Sequence, residues 1–502
     1  MGSYASVRSA EIHGVDAVPV NVEVSIEKGP WSFNVFGGPD ASAAESVVRV
    51  RTAIQSSGFE MPNASICVNL SPAEVKKTGT GYDQPIAIGI LAASGQIDAD
   101  ELDGRLFSGE LGMMGNVIPS RGDAVKAAYA CENGLRPVLA PQTGYAPSGT
   151  AEVRSLSDFR GPIAAFPVQG GVDAGAKKND YDFDEMVLAP QTAEALMAAA
   201  VGKHNIMLVG GGHSGMIARR LPSILPDLSD AEYEQAALIR SATRNSLDDI
   251  AGKARPFRAP HHSITISGMV GGSLPIMPGE ASLAHGGVLF LGDVQEFETN
   301  VLQSLRQPLK DREVRIVRVR GIYDMPADFQ LVAAAPPCPC GNLGNPHRAC
   351  TCSVPVIERY QARLGGPISD LFGLVIDIPH QVFSEDVSSE NRISSADMRE
   401  QVCSALEFKA WRQKHGIGDL DGADFDSPAG YLPRSFMERS YRVARSFADL
   451  AGRELVMQED LLKALSFRNR FSNSMSSLEA ARFARGFRPA EGSATIKPTI
   501  GQ

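Results

Sequence analysis

Apolar positions along the chain fall into three stretches of different character. Up to about residue 166, strand-like runs at 22–26 and 64–70 alternate with helix-like runs at 43–57 and 83–94, and Met61, Pro62 and Asn63 separate one such pair. A Gly- and Lys-rich stretch at 167–180, with Gly170, Gly171, Gly175, Lys177 and Lys178, reads as a linker. From about 181 to 379 the apolar runs are short and uninterrupted (206–209, 287–291, 329–334) and alternate with helical stretches, the pattern of parallel strands buried on both faces. After the polar stretch 384–395 the chain is helical, with amphipathic spacing at 435–450 and 458–467, and the tail beyond Arg488, rich in Pro, Gly and Ser, is expected to fray. The expected fold class is mixed: an α+β sandwich, an α/β core and a helical end.

Composition narrows the function. A chain of 502 residues at roughly 150 per domain holds about three domains. With 43% hydrophobic and 21% charged residues, wholesale disorder is excluded. Lys plus Arg is 48 and Asp plus Glu is 58, so the net charge is 48 − 58 = −10 and any nucleic-acid contact must come from a local patch. No apolar run of ~18 residues suggests a membrane span, and residues 1–20 lack the basic start and apolar run of a signal peptide. Seven cysteines do not make a disulfide scaffold, so a reduced cytoplasmic setting is expected, without membrane contact.

Three cysteines, Cys67, Cys131 and Cys403, stand alone and are expected as small core residues. Cys338, Cys340, Cys350 and Cys352 form two Cys-x-Cys pairs nine residues apart, with Gly341, Gly344 and Pro346 supplying turns between them. Four thiolates on two short turns suit a tetrahedral structural Zn²⁺; two disulfides or four idle thiols are the alternatives. His347 lies inside the gap and is expected to be a bystander.

The strand-like run 204–209 leads into Gly210, Gly211, Gly212, His213, Ser214 and Gly215, and a helix-like run starts at Met216 and Ile217. Strand, Gly-rich turn and helix is the context of a phosphate loop, in which backbone N–H groups and the helix N-terminus face an anion. The pattern G-x-x-x-x-G-K-[ST] is met at Gly210 and Gly215. It fails at Met216, where a Lys should reach the phosphates, and at Ile217, where a hydroxyl should hold Mg²⁺. The run 287–291 ends in Gly292-Asp293, where an Asp-Glu pair is expected in a hydrolase of this kind, leaving Asp293 as a shortened candidate for the catalytic carboxylate.

The stretches 255–263 (RPFRAPHHS), 278–285 (PGEASLAH), 302–309 (LQSLRQPL), 329–334 (FQLVAA) and 337–341 (PCPCG) closely resemble the bacterial magnesium-chelatase-like AAA+ family of the YifB/ComM type. The resemblance extends to 58–60, 68–73, 81–83, 90–95 and 107–112, and to 443–445 and 448–452, so nearly the whole chain is covered. It implies a Lon-protease-like, S5-type N-terminal domain (1–166), a linker (167–180), an AAA+ core (181–384) with a four-cysteine insertion (336–353), a helical C-terminal domain (385–490) and a tail (491–502). It also implies a ring, usually hexameric, that binds ATP and DNA; the ComM type is a branch-migration helicase in natural transformation. No serine stands near 77–82 where a Lon nucleophile would, so no protease dyad is expected there. Against the family, Met216 and Ile217 replace the phosphate-loop Lys and Thr/Ser, and Gly292-Asp293 the acidic pair. Pro336 replaces a sensor Asn, residues 370–373 lack an Arg that faces a neighbour's phosphate, and Arg434-Ser435 is out of register with a Ser-Ala-Arg. Arg258, His261, His262, Glu280 and His285 are kept. Scaffold without catalytic charge is the pattern of a pseudo-ATPase that assembles with itself or with an intact paralogue; an active ATP-driven motor is the alternative.

Between 306 and 320, six basic residues face two acids, a local 6 − 2 = +4. Arg312, Arg315, Arg318 and Arg320 alternate imperfectly with β-branched residues, which fits a β-hairpin arm carrying DNA-phosphate contacts or a charged edge strand. Arg434, Arg439, Arg442 and Arg445 form a second basic helix face, at a ring interface or solvated, and His261-His262 is expected in a polar loop near the nucleotide or DNA face rather than at a metal.

Overall fold

A computed structural model describes residues 3–38, 40–141, 145–161, 166–167, 181–210, 212–319, 321–365, 371–378, 392–421 and 434–467. Most of the linker stretch, the tail beyond 467, Gly211, Arg320 and Asp370 lie outside the described residues.

The N-terminal part holds β1 (Ser3–His13), β2 (Asp16–Glu27), β3 (Ser32–Phe36), α1 (Asp40–Ser56), β4 (Ser65–Ser71), α2 (Asp83–Ala93), β5 (Arg105–Ser108), β6 (Glu110–Leu111), β7 (Val117–Ile118), α3 (Asp123–Glu132), β8 (Arg136–Leu139), β9 (Ala151–Glu152) and β10 (Phe166–Pro167). One sheet runs β1-β2-β4-β3, antiparallel except for the parallel β3–β4 edge, and a second runs β10-β9-β8-β5. Every residue of α2 is buried. Gly89 allows this, because a β-carbon there would sit 2.6 Å from Val24 Cγ2. Strand β2 far exceeds the expected run 22–26, and β1 was not expected at all. Its buried positions are small or alternate with serines (Ala5, Val7, Ser9), so its apolar signal is weak although its period is that of a strand.

The middle part holds α4 (Pro190–Gly202), β11 (Ile206–Gly210), α5 (Ser214–Ile224), α6 (Asp230–Thr243), β12 (Phe257–Arg258), α7 (Ile266–Val270), α8 (Glu280–Leu283), β13 (Val288–Leu291), α9 (Thr299–Ser304), α10 (Arg306–Asp311), β14 (Glu313–Arg318), β15 (Gly321–Pro326), β16 (Gln330–Ala335), α11 (Val354–Gly365) and β17 (Leu374–Ile378). Five of these strands form one parallel sheet ordered β12-β13-β16-β11-β17, with β11, β13 and β16 buried along nearly their whole length as their unbroken apolar runs require. The α/β class and the α+β N-terminal part expected from the pattern are therefore both present.

Among the described residues three helices follow: α12 (Ser395–Lys414), α13 (Arg434–Leu450) and α14 (Gln458–Ser466). They share one apolar cluster with the sheet, in which Val402, Phe447 and Leu461 join Ile206, Leu208 and Leu374. Arg412, fully buried, grips Asp449 at 2.8 and 3.0 Å, and Arg445 reaches the same carboxylate. Arg445 thus leaves the expected basic surface, because its guanidinium is needed inside. His204, ahead of β11, bonds Ser446 at 2.8 Å. Desolvation and then Lys409 push its imidazole down to about 3, so it is neutral at pH 7.

The N-terminal part meets the middle part at α3 and α6, where the amides of Gly122 and Ala124 donate to the carbonyl and hydroxyl of Ser241. Neither Cys67 nor Cys131 is a core residue: both are exposed, and Cys403 is half-buried. The alternation of β4 explains Cys67, which points away from buried Ile66 and Val68. No described helix is long and apolar enough to cross a membrane.

Removing Asp449 leaves two buried guanidiniums without their shared counter-ion. Asp449→Ala should cost about 3–5 kcal/mol in denaturant unfolding; a loss below about 1 kcal/mol would show that the network carries little stability.

Candidate functional site

The carboxyl ends of β11, β13 and β16 open into one cleft of about 520 Å³, the place where a parallel α/β sheet offers a ligand site. Its walls come from the β11–α5 turn (Gly210, Gly212, Ser214, Gly215), the end of β13 (Phe290, Gly292, Asp293), the end of β16 (Ala334, Ala335, Pro336) and the cysteine turns (Cys340, Gly341, Asn342, Asn345). Gly210 is sterically required, since a β-carbon there would lie 2.4 Å from the Ile378 carbonyl of neighbouring β17. Helix α5 then aims its N-terminus at the cleft. Ser214 is buried and its hydroxyl has no hydrogen-bond partner among the described residues, a donor left for a ligand or water.

The two residues that follow Gly215 do not line the cleft. Met216 is partly exposed, and Ile217 is fully buried in the apolar cluster with Val288 and Phe290. Asp293 is the one acidic residue among the described lining residues, held in the left-handed region at φ 51°. Gly292 sits under Phe290, whose Cε1 lies 3.3 Å from where a β-carbon would be. His213 caps α5 without a side-chain cap bond. Pro336 accepts at its carbonyl from the Tyr360 hydroxyl at 2.9 Å.

The cysteines converge as their spacing predicted. The four ligand atoms of Cys338, Cys340, Cys350 and Cys352 lie within 4.8 Å of one another. Three of the Sγ–Sγ distances are 3.5, 3.7 and 3.5 Å. A tetrahedron with Zn–S near ~2.3 Å has edges of about 3.8 Å, so this set is already shaped for such an ion. Backbone N–H groups of Asn342 and Thr351 aim at Cys340 and hold its thiol down at about 5. Burial and neighbouring thiols push Cys352 up, which is how a packed thiol set behaves before a cation compensates its charge. His347 is not among the clustered ligands.

The basic stretch forms a two-stranded arm, β14 with β15. Arg315 is paired across the strands with Asp324 at 2.8 and 3.1 Å, and Arg312 lies 3.8 Å from Asp328. Arg318 donates to the Gly272 carbonyl at 3.1 Å. Val317, Val319 and Ile322 are exposed. The arm is therefore less freely cationic than residues 306–320 alone imply, because Asp324 and Asp328 lie outside that stretch.

The chain matches the family model described as magnesium chelatase, subunit ChlI, over residues 182–386, and a second ChlI model over 22–144. It is 33% identical over 499 residues to the protein YifB of Escherichia coli and 34% identical over 499 residues to the competence protein ComM of Haemophilus influenzae, each comparison covering 93% of this chain and 97% of the relative. A Mycobacterium tuberculosis protein is 33% identical over 493 residues, covering 92% of this chain and 97% of its own length. This chain belongs to the magnesium-chelatase-like family.

Within that family frame, some of the kept residues have structural work. Arg258 and Glu280 form a bidentate pair at 2.7 and 2.7 Å that ties β12 to α8. His285 is buried and accepts from the Asp328 amide at 3.2 Å; burial pushes its imidazole down. His261 and His262 lie ring against ring at 4.0 Å in an exposed loop. Sequence reasoning missed a serine–lysine contact: Lys126 donates to Ser108 at 2.7 Å and to Ser120 at 3.0 Å. Asp123, 3.7 Å from the same ammonium, also accepts from both serines, so the group is a closed polar network at the start of α3. The signal was the i, i+3 pair Asp123–Lys126 behind Ser120. Lys77 instead donates to the carbonyls of Leu70 and Pro72.

Protein purified without chelator should carry about one zinc per chain by metal analysis, and Cys340→Ser should lower that content severalfold. A metal-free chain of unchanged thermal stability would contradict a metal at this cluster.

Proposed function

We propose that this protein is a ring-forming AAA+ homologue of the magnesium-chelatase-like family that binds DNA and has lost all but feeble ATP hydrolysis, acting as a scaffold or regulatory subunit. The proposed organisation is a Lon-like, S5-type domain over 1–166, a linker over 167–180, an AAA+ core over 181–384, a helical domain over 385–490 and a tail over 491–502. A ring, hexameric by family resemblance and built from this chain or with an intact paralogue, and the DNA partner rest on that resemblance, on the likeness to the competence protein ComM and on the basic arm with Arg312, Arg315, Arg318 and Arg320. A structural Zn²⁺ at Cys338, Cys340, Cys350 and Cys352 is proposed from the converging thiols.

One observation carries the loss of catalysis. The residue at the Mg²⁺-ligand position, Ile217, is fully buried in the apolar cluster with Phe290, while the preceding residue offers a thioether instead of an ammonium. A hydrolase needs positioned charge on the transferring phosphoryl group and a held metal. Here the cleft keeps the glycine cradle, Ser214 and the α5 N-terminus, and Asp293 is a carboxylate one methylene shorter than a Glu. A helix terminus supplies about 0.3–1 kcal/mol to a bound anion, up to about 2 when partly buried, which does not replace an ion pair and a metal. The intact cradle gives the active branch-migration helicase of the ComM type its footing as a second reading.

Calorimetric titration with ATP distinguishes them. The unaltered protein should bind weakly, with an affinity within about twofold with and without Mg²⁺, or not at all. Met216→Lys with Ile217→Thr should restore Mg²⁺-dependent binding without turnover, since Gly292 and Pro336 remain. Tight Mg²⁺-dependent binding by the unaltered protein would overturn the proposal.

A further inference from the structure

The β14–β15 arm is a sheet of two strands only, and such a ribbon does not hold its own angle in water. Its two faces differ. One face carries Glu313, Arg315 and Val317 opposite Pro326, Asp324 and Ile322, with Arg315, Val317 and Ile322 exposed. The other carries Val314, Ile316 and Arg318 opposite Met325, Tyr323 and Gly321. At its root, Val314 and Met325 are buried in the core. Farther out, on the β14 side, Ile316 lies against Gly271 and Gly272, its Cδ1 3.5 and 3.6 Å from where their β-carbons would sit, and Arg318 bonds the Gly272 carbonyl. On the β15 side the support comes from the other end of the chain. The tip of the long β1–β2 hairpin brings His13 onto Tyr323, the rings stacked at 4.0 Å and 29°. His13 Nε2 also lies 3.0 Å from where a β-carbon on Gly321 would sit, and Val15 packs on the cluster that holds Met325.

We infer that His13, at the turn between the first two strands, is a positioning residue for the basic arm: its ring stacks on Tyr323 and, with the Gly271–Gly272 turn against Ile316, clamps one face of the arm along both of its strands. The N-terminal part thereby sets the angle at which the arm presents its exposed face. Gly14, at φ +72°, makes the two-residue turn that lets the tip reach this far, and a β-carbon there would come within 3.7 Å of both Tyr323 and Met325.

Limited trypsinolysis of the full-length chain reads the clamp without any ligand, by following the fragment that ends at Arg318 by mass spectrometry. His13→Ala should raise its rate of appearance about 2- to 10-fold, the factor that loss of one ring stack gives a local opening equilibrium. His13→Phe, which keeps a stacking ring, should stay near the unaltered rate, while cuts after Arg8 and Arg49 serve as the measure of general loosening. Equal rates for the unaltered protein and His13→Ala would overturn the inference. So would a rise shared by His13→Phe, or one matched by the Arg8 and Arg49 cuts. The affinity of the same proteins for a single-stranded oligonucleotide, across salt, keeps this separate from the DNA reading on which the arm's use rests. If cleavage follows the ring at position 13 but the salt slope is identical in Arg318→Gln and unaltered protein, the clamp stands and DNA binding by Arg318 falls.

Discussion

The packing of Ile217 under the parallel sheet is the constraint on which the rest of the site depends. Helix α5 must leave the Gly210 turn at an angle that buries one face against β11 and β13, and Ile217 is the first fully buried side chain on that face. With an aliphatic group there, the start of the helix is held against the sheet by hydrophobic packing. Restoring a hydroxyl at this position would take a polar group into an apolar cluster, at a cost set by how well it finds a partner. Packing and a phosphate-loop hydroxyl therefore make opposing demands on this position, and in this chain it carries the packed aliphatic group.

The same division recurs around the cleft. Its cysteine wall is a structural device: the turns between the thiols supply Gly341, Asn342 and Asn345 to the lining, and Asn342 bonds back to the Cys340 carbonyl at 2.9 Å. Behind the sheet, the Arg412–Asp449–Arg445 network ties α12 to α13, and the His204–Ser446 bond fastens α13 to the start of β11. In front, Arg258 and Glu280 lock β12 to α8. These polar pairs fix where elements lie, whereas Met216 and Ile217, the two residues after Gly215, bring no charge or hydroxyl to the cleft.

Sequence alone disclosed the parts whose signal is local. Uninterrupted apolar runs marked β11, β13 and β16, and paired Cys-x-Cys turns marked the thiol cluster, because in both cases a short segment determines its own chemistry. The helices at 434–450 and 458–466 were legible from their period for the same reason. What escaped depends on residues far apart in the chain. Strand β1 buries alanine and serine, too weakly apolar to stand out. The charge of Arg315 is met by Asp324 across the arm, and Arg445, expected on a basic helix face at a ring interface or in solvent, is turned inward by Asp449. The burial of Ile217 as a core side chain could not be read from a motif that records only its mismatch.

The proposed loss of ATP hydrolysis rests on a cleft that keeps its glycine turn and helix N-terminus but receives no ammonium or hydroxyl from Met216 and Ile217. Phosphate release by the purified full-length protein, measured with saturating ATP and Mg²⁺ in the presence and absence of single-stranded DNA, addresses it directly. The rate should be indistinguishable from the no-enzyme background in both conditions; robust turnover stimulated by DNA would contradict the loss of hydrolysis.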